Sequence, residues 1–135
     1  IEESGVHDTI LRSTQFFEFV NGIASSSTQD QIVRLPPALT QPVAADDVAE
    51  TLAQLAVRPA ANGRLELAGP QPYQLTDLVG RVLAVNHDER LVISDPAATY
   101  FGVHISETAL VPAAEHPFIG SIGLDEWLAR SRQAA

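Results

Sequence analysis

The 135-residue sequence contains no cysteine, no methionine and no lysine. Without cysteine there are no disulfides, no thiolate metal ligands and no thiol nucleophile. Without lysine there is no Schiff-base chemistry and no Tyr/Lys proton relay within these residues. Basic charge is scarce: eight residues, all Arg, stand against 17 acids, for a formal net charge of −9. That balance argues against nucleic acid and anionic membranes as partners, because both require a basic footprint. Long hydrophobic runs are missing too. None approaches the roughly 20 apolar residues that span a bilayer, and the first residues do not read as a signal peptide. The expectation is a soluble, cytoplasmic protein.

With 45% apolar and 19% charged residues, the composition is that of a globular chain long enough for one domain but not comfortably for two. Its first residues, Ile1-Glu2-Glu3-Ser4-Gly5-Val6, read as the last turn of a helix with Gly5 in the stop position and no initiator Met. A start inside an element is expected of a fragment or a processed chain.

Residues 8–12 are β-rich and predict a strand. A helix follows over residues 14–24, in which Phe16, Phe19, Val20, Ile23 and Ala24 share one face and Phe17 lies off it. Further strands are predicted at residues 31–35, 64–68 and 91–94. Asp46 and Asp47 mark a helix start, with Asp47 in the cap position and Glu50 three residues on. Val48, Leu52, Leu55 and Ala56 form the apolar face of that helix until Arg58-Pro59 stops it, and Asn62-Gly63 makes a turn. A third helix carries Leu75, Leu78, Val79, Val82 and Leu83, and a terminal helix at 124–130 is anchored by Trp127. A short helix is expected near residues 98–101. Strand and helix thus alternate four times, which predicts an α/β fold with a largely parallel sheet. Two long stretches, 25–45 and 97–124, carry little regular structure, and loops of that length in a small domain tend to be functional.

Thr9-Ile10-Leu11-Arg12-Ser13-Thr14-Gln15-Phe16-Phe17-Glu18-Phe19 resembles the C-terminal half of the NmrA-like, atypical short-chain dehydrogenase/reductase proteins. Pro42-Val43-Ala44-Ala45-Asp46-Asp47-Val48-Ala49 is similar to that family's strand-to-helix segment. Leu65-Glu66-Leu67-Ala68-Gly69-Pro70 resembles its "strand, Gly-Pro, helix" unit, and Gly123-Leu124-Asp125-Glu126-Trp127-Leu128-Ala129 its final helix. The resemblance implies a Rossmann-type, NAD(P)-binding fold from which the Gly-rich dinucleotide-binding half is missing. None of the eight glycines forms a G-x-G-x-x-G turn between a strand and a helix. The chain is then one partial domain, with residues 1–35 as the last Rossmann strand, helix and loop and 36–135 as the substrate-binding region. Its partners would be a small-molecule substrate and the missing N-terminal half or another copy of the chain. NAD or NADP is the implied cofactor, not expected to bind tightly to this chain alone.

By the same resemblance, Ser13, Thr14, Gln15 and Phe16 border the nicotinamide end of the cofactor, and the helix after them borders the substrate. Thr14 and Gln15 suit hydrogen bonds to an amide, and Phe17 is the aromatic expected to face the pocket. The alternative is structural: Thr14 caps the helix and Phe16 is core. Tyr100 and His104, in the least readable stretch, are further pocket candidates. Tyr73 and Tyr100 are the only phenols and neither has a Lys four residues on, so the catalytic residue stays unassigned. Asp46 and Asp47 would suit acid/base work, but a helix cap accounts for both. His7, His87, His104 and His116 are too dispersed to bind a metal.

The implied function is hydride transfer from NAD(P)H to a small quinone or carbonyl acceptor. A non-catalytic dinucleotide sensor and an independent α/β interaction module are the alternatives. A dry pocket lined by Phe17 with a bound acceptor favours the enzyme, a polar, blocked nicotinamide loop the sensor. The fragment reading predicts an open edge on the first strand; the module predicts a sheet with both edges protected.

Overall fold

The computed structural model describes residues 9–57, 63–114 and 116–134. The expected helical turn at the N-terminus and the stop and turn at residues 58–62 lie outside them. In chain order the elements are β1 (Thr9–Ser13), a single 3-10 turn (Phe17–Phe19), α1 (Val20–Ser26), β2 (Thr28–Gln29), β3 (Ile32–Leu35), β4 (Leu39–Thr40), α2 (Ala45–Ala56), β5 (Gly63–Ala68), β6 (Tyr73–Gln74), α3 (Leu75–Val85), β7 (Leu91–Ser94), β8 (Phe118–Ile119) and α4 (Leu124–Ala134).

The four strands expected from the pattern are β1, β3, β5 and β7. The other four are two-residue strands, too short to carry a period of two. They assemble into an α/β fold with largely parallel pairing, as expected, divided among three small sheets. The first, in the order β1-β5-β8, is all parallel, with Leu11 opposite Leu65 and Arg12 opposite Glu66. In the second, β3 pairs parallel with β7 and antiparallel with β2, while β4 and β6 form a third, antiparallel pair. Among the described residues β1 has a strand on one side only.

The core lies between α1, α3, the β3–β7 pair and α4. Leu75, Leu78, Val79, Val82 and Leu83 are all buried, the face that spacing along α3 predicts. They meet Val20, Ile23 and Ala24 of α1 and Leu124 and Leu128 of α4. Near β7, Asp88 binds Arg90 through both carboxylate oxygens, and these hydrogen bonds hold the Asp88 carboxyl below its ordinary range.

Three local expectations are corrected. Residues 14–16 are extended rather than helical, because Phe16 bridges to Val43 and the Phe17 N–H donates to the Val43 carbonyl at 2.9 Å. The helical phase therefore starts late and the aromatic faces invert. Phe17 is 1% exposed and stacks on Trp127 with ring centroids 5.4 Å apart, while Phe19 is 61% exposed and stacks on Phe16. Phe17 is thus core and not the pocket-facing aromatic. Second, Asp47 does not cap α2. The cap is Ala44, and the carboxylate of Glu18 accepts instead from the Ala45 N–H (3.2 Å) and from the Trp127 indole (3.1 Å).

Third, the short helix expected near residues 98–101 is a tight turn. Tyr100 and Val103 exchange backbone hydrogen bonds of 2.8 and 3.1 Å around Phe101 (φ +49°) and Gly102 (φ +81°). Two positive φ values make a type I′ turn, whose first central position favours Asn, Asp or Gly. Phenylalanine there costs about 1–3 kcal/mol in backbone strain.

Helix α2 is amphipathic as expected, but much of its apolar stripe is uncovered: Leu52 is 50% exposed and Val57, just beyond the helix, 86%. The inversion of the aromatic faces has a direct test. Phe17→Ala is expected to cost about 3–5 kcal/mol by urea denaturation, and Phe16→Ala only about 1 kcal/mol.

Candidate functional site

Three chain segments cross where the parallel strands β1 and β5 end. The first, leaving β1, extends its pairing by one bond from the Thr14 N–H to the Leu67 carbonyl (3.0 Å). The second, residues 41–43, runs across both strand ends. The Val43 N–H donates to the Gln15 carbonyl (2.9 Å), and the Gln41 carbonyl accepts from the Gly69 N–H (3.2 Å) and from the Thr14 hydroxyl. The third leaves β5, where the Gln41 side-chain amide donates to the Gly69 carbonyl at 2.8 Å. Gly69 allows the crossing: a Cβ built there would lie 1.6 Å from the Pro42 carbonyl oxygen.

A cleft of about 260 Å³ opens beside this crossing. One wall is Arg12, Ser13, Thr14 and Gln15, and the other is Glu66 with the loop at residues 109–113. That loop is tied down at several points. Glu66 accepts from the Ala114 N–H at 2.7 Å, the Leu39 N–H donates to the Glu107 carbonyl at 2.9 Å, and the Leu110 side chain is buried. The cleft thus lies at the C-terminal ends of adjacent parallel strands, the place where open α/β sheets bind ligands.

Its polar groups are unequally used. The Thr14 hydroxyl is committed to Gln41, whereas the Gln15 side-chain oxygen is buried with no hydrogen-bond partner. A buried carbonyl left unpaired costs free energy, and a ligand donor would recover it only if the Gln15 side chain turned its oxygen into the cleft. Among the described residues Arg12 makes no ion pair. Among the described residues the cleft is therefore a polar recess with the Arg12 guanidinium on one wall, the engaged Glu66 carboxylate on the other and an unpaired Gln15 oxygen buried behind its lining.

Of the residues singled out in the sequence, Ser13, Thr14 and Gln15 line this cleft, and Phe16, Phe17, Tyr100 and His104 do not. Phe16 packs on Phe19 just beyond it. Tyr100 leans on the core, and burial pushes its phenol above the ordinary value, so it stays neutral at physiological pH. His104 is exposed. Asp46 and Asp47 form no acid/base pair: Asp46 faces Arg130 at 3.4 Å, while Asp47, 4% exposed, accepts from the Ile122 N–H (2.9 Å) and the Ser121 hydroxyl (3.2 Å). Among the described residues no three His, Asp or Glu side chains converge on a possible metal site. No described helix is long and apolar enough to cross a membrane. Sequence reasoning missed Gln41 and Glu66, whose contacts here are 28 and 48 residues away along the chain. A polar residue, whether on a strand like Glu66 or just past one like Gln41, gives no local sign of such a role.

No protein-family model matches the chain, and no curated protein matches it. Among solved structures, the chain is similar to a nucleoside-diphosphate-sugar epimerase from Staphylococcus aureus, with 14% identity and a TM-score of 0.49. The alignment covers 71% of this chain and 34% of the epimerase, so the chain spans about a third of that protein's length.

The crossing predicts opposite outcomes at two glycines. Gly69→Ala must displace the Pro42 backbone and is expected to cost about 3 kcal/mol, a fall in Tm of roughly 10 °C by calorimetry. Gly22→Ala, on the exposed side of α1 with nothing within 4 Å of the added methyl, is expected to stabilise by about 0.5–1 kcal/mol.

Proposed function

We propose that this chain is the substrate-side part of an NAD(P)-dependent oxidoreductase, with the nicotinamide end of the cofactor beside Ser13, Thr14 and Gln15. The acceptor is then a small quinone or carbonyl compound. The observation that carries this reading is the cleft itself, at the C-terminal ends of β1 and β5 and lined by Ser13, Thr14 and Gln15, three of the four residues for which the family resemblance implies that role. The residues fit the nicotinamide end: turned into the cleft, the unpaired Gln15 oxygen would accept from a carboxamide N–H. Thr14, committed to Gln41, would hold the loop in shape rather than touch the ring.

When bound, the dinucleotide supplies the hydride, and the protein supplies placement. Arg12 offers a cation at the cleft wall, and Glu66 fixes the facing loop through Ala114. For the pyrophosphate the sequence offers no Gly-rich turn, so that part of the cofactor needs residues from the missing N-terminal half or from another copy of the chain. The one-sided pairing of β1 and the uncovered stripe of α2 suit a further parallel strand and its covering element.

A second reading has its own support. With Phe17 in the core, no aromatic lines the cleft among the described residues, and the Glu66 carboxylate is engaged by a backbone N–H. A polar cleft without a free acid suits a dinucleotide-responsive regulator as well as an enzyme. The independent interaction module calls for protected sheet edges, whereas among the described residues β1 has a strand on one side only.

Reduced nicotinamide mononucleotide separates these readings. It is expected to shift the amide resonances of Ser13, Thr14 and Gln15, with affinity reduced roughly fivefold in Gln15→Leu. Oxidation of the bound mononucleotide by an added quinone marks the enzyme, and binding without oxidation marks the regulator. No shift at these amides at millimolar ligand refutes both.

A further inference from the structure

We infer that a second cleft, between the loop after α1 and the Tyr100–Val103 turn, is a binding site for a planar aromatic ring carrying an anionic group. The cleft is about 330 Å³, and its walls include Ser27, Gln29, Arg34, Asp95, Thr99 and Phe101. It shares no lining residue with the strand-end cleft, so the inference is independent of the function proposed above.

The first support is the turn. Phe101 holds a left-handed backbone where Asn, Asp or Gly is comfortable, yet its side chain is 55% exposed. An edge-on contact with Tyr100, centroids 4.9 Å apart, offsets part of the strain, but Asn would incur none to offset. Strain kept at an exposed aromatic points to a use for the ring outside the fold. The second support is Arg34. Its contact with Asp95 is long, 3.7 Å, and both side chains are partly exposed, which leaves most of the guanidinium donors available. The third is the state of the hydroxyls. Thr28 is spent, donating to the Ala24 carbonyl at 2.6 Å and accepting from Arg90 at 2.8 Å. Those of Ser27 and Thr99 make no hydrogen bond among the described residues.

An exposed aromatic, a half-free guanidinium and unused hydroxyls around one recess match a flat ring stacked on Phe101, its phosphate or carboxylate on Arg34 and its polar edge on the hydroxyls. Nucleotides and aromatic carboxylic acids share this chemistry. The net charge of −9 works against any anion, so the affinity expected is modest.

The test is an amide-resonance titration of the protein with adenosine 5′-monophosphate and with 4-hydroxybenzoate, with uncharged adenosine as control. At least one anion is expected to shift Ser27, Thr99, Phe101 and Gly102 while leaving Ser13–Gln15 unmoved. A response to the nucleotide alone assigns a nucleotide site, and a response to benzoate assigns an aromatic-acid site. Arg34→Gln is expected to weaken the anion about tenfold. Phe101→Asn, which suits the turn, is expected to raise Tm while abolishing binding. The inference is overturned if neither anion shifts these amides, if adenosine binds as well as its monophosphate and benzoate does not bind, or if Phe101→Asn keeps full binding or lowers Tm.

Discussion

The approach of Gly69 to the Pro42 carbonyl is the constraint on which the strand-end cleft depends. A single missing side chain lets residues 41–43 lie directly across the exits of β1 and β5. From that one contact follow the bonds of Gln41 to Gly69 and Thr14 and the bond from Val43 to Gln15. These in turn hold residues 13–15 extended, so that the helix begins late and Phe17 turns inward. The shape of the cleft and the composition of the core are consequences of the same crossing. The proposed role of the 13–15 loop therefore rests on backbone geometry more than on the chemistry of its side chains.

Legibility of the structure in the sequence tracks how locally each feature is determined. Helix α3 was readable because its stripe from Leu75 to Leu83 is buried along its whole length. The strands β1, β3 and β7 were readable as short runs rich in β-prone residues, and β5 by the alternation of Leu65 and Leu67 with polar neighbours. The two-residue strands were not, since their pairing is set by distant partners and not by any period. The reversal of Phe16 and Phe17 has the same origin: a pattern gives the period of a helix but not its starting phase, and Val43 sets that phase by accepting from the Phe17 N–H, 26 residues away. Ser13, Thr14 and Gln15 were singled out only through a family resemblance, whereas the orphaned oxygen of Gln15 required coordinates. The turn at Phe101 escaped because its residue type argues against the conformation it adopts.

Acidic residues, abundant in composition, serve here as connectors. Asp47 reaches from the first turn of α2 to the backbone just before α4, while Asp46 and Glu126 both meet Arg130. Glu18 completes the set by joining the same helix end to Trp127. A surplus of acid that would look like a plain solvated surface is, at this corner, what fastens the C-terminal helix to the rest.

Trp127 is the sole tryptophan of the chain, and it lies face to face with Phe17 while its indole donates to Glu18. Nature has thus placed one fluorophore at the junction of the last helix, the core aromatic and the start of α2. Its emission reads a single, defined seam of the molecule without any label. Detachment of the C-terminal helix, in unfolding or on meeting another chain, would be visible as a change in the colour of that light.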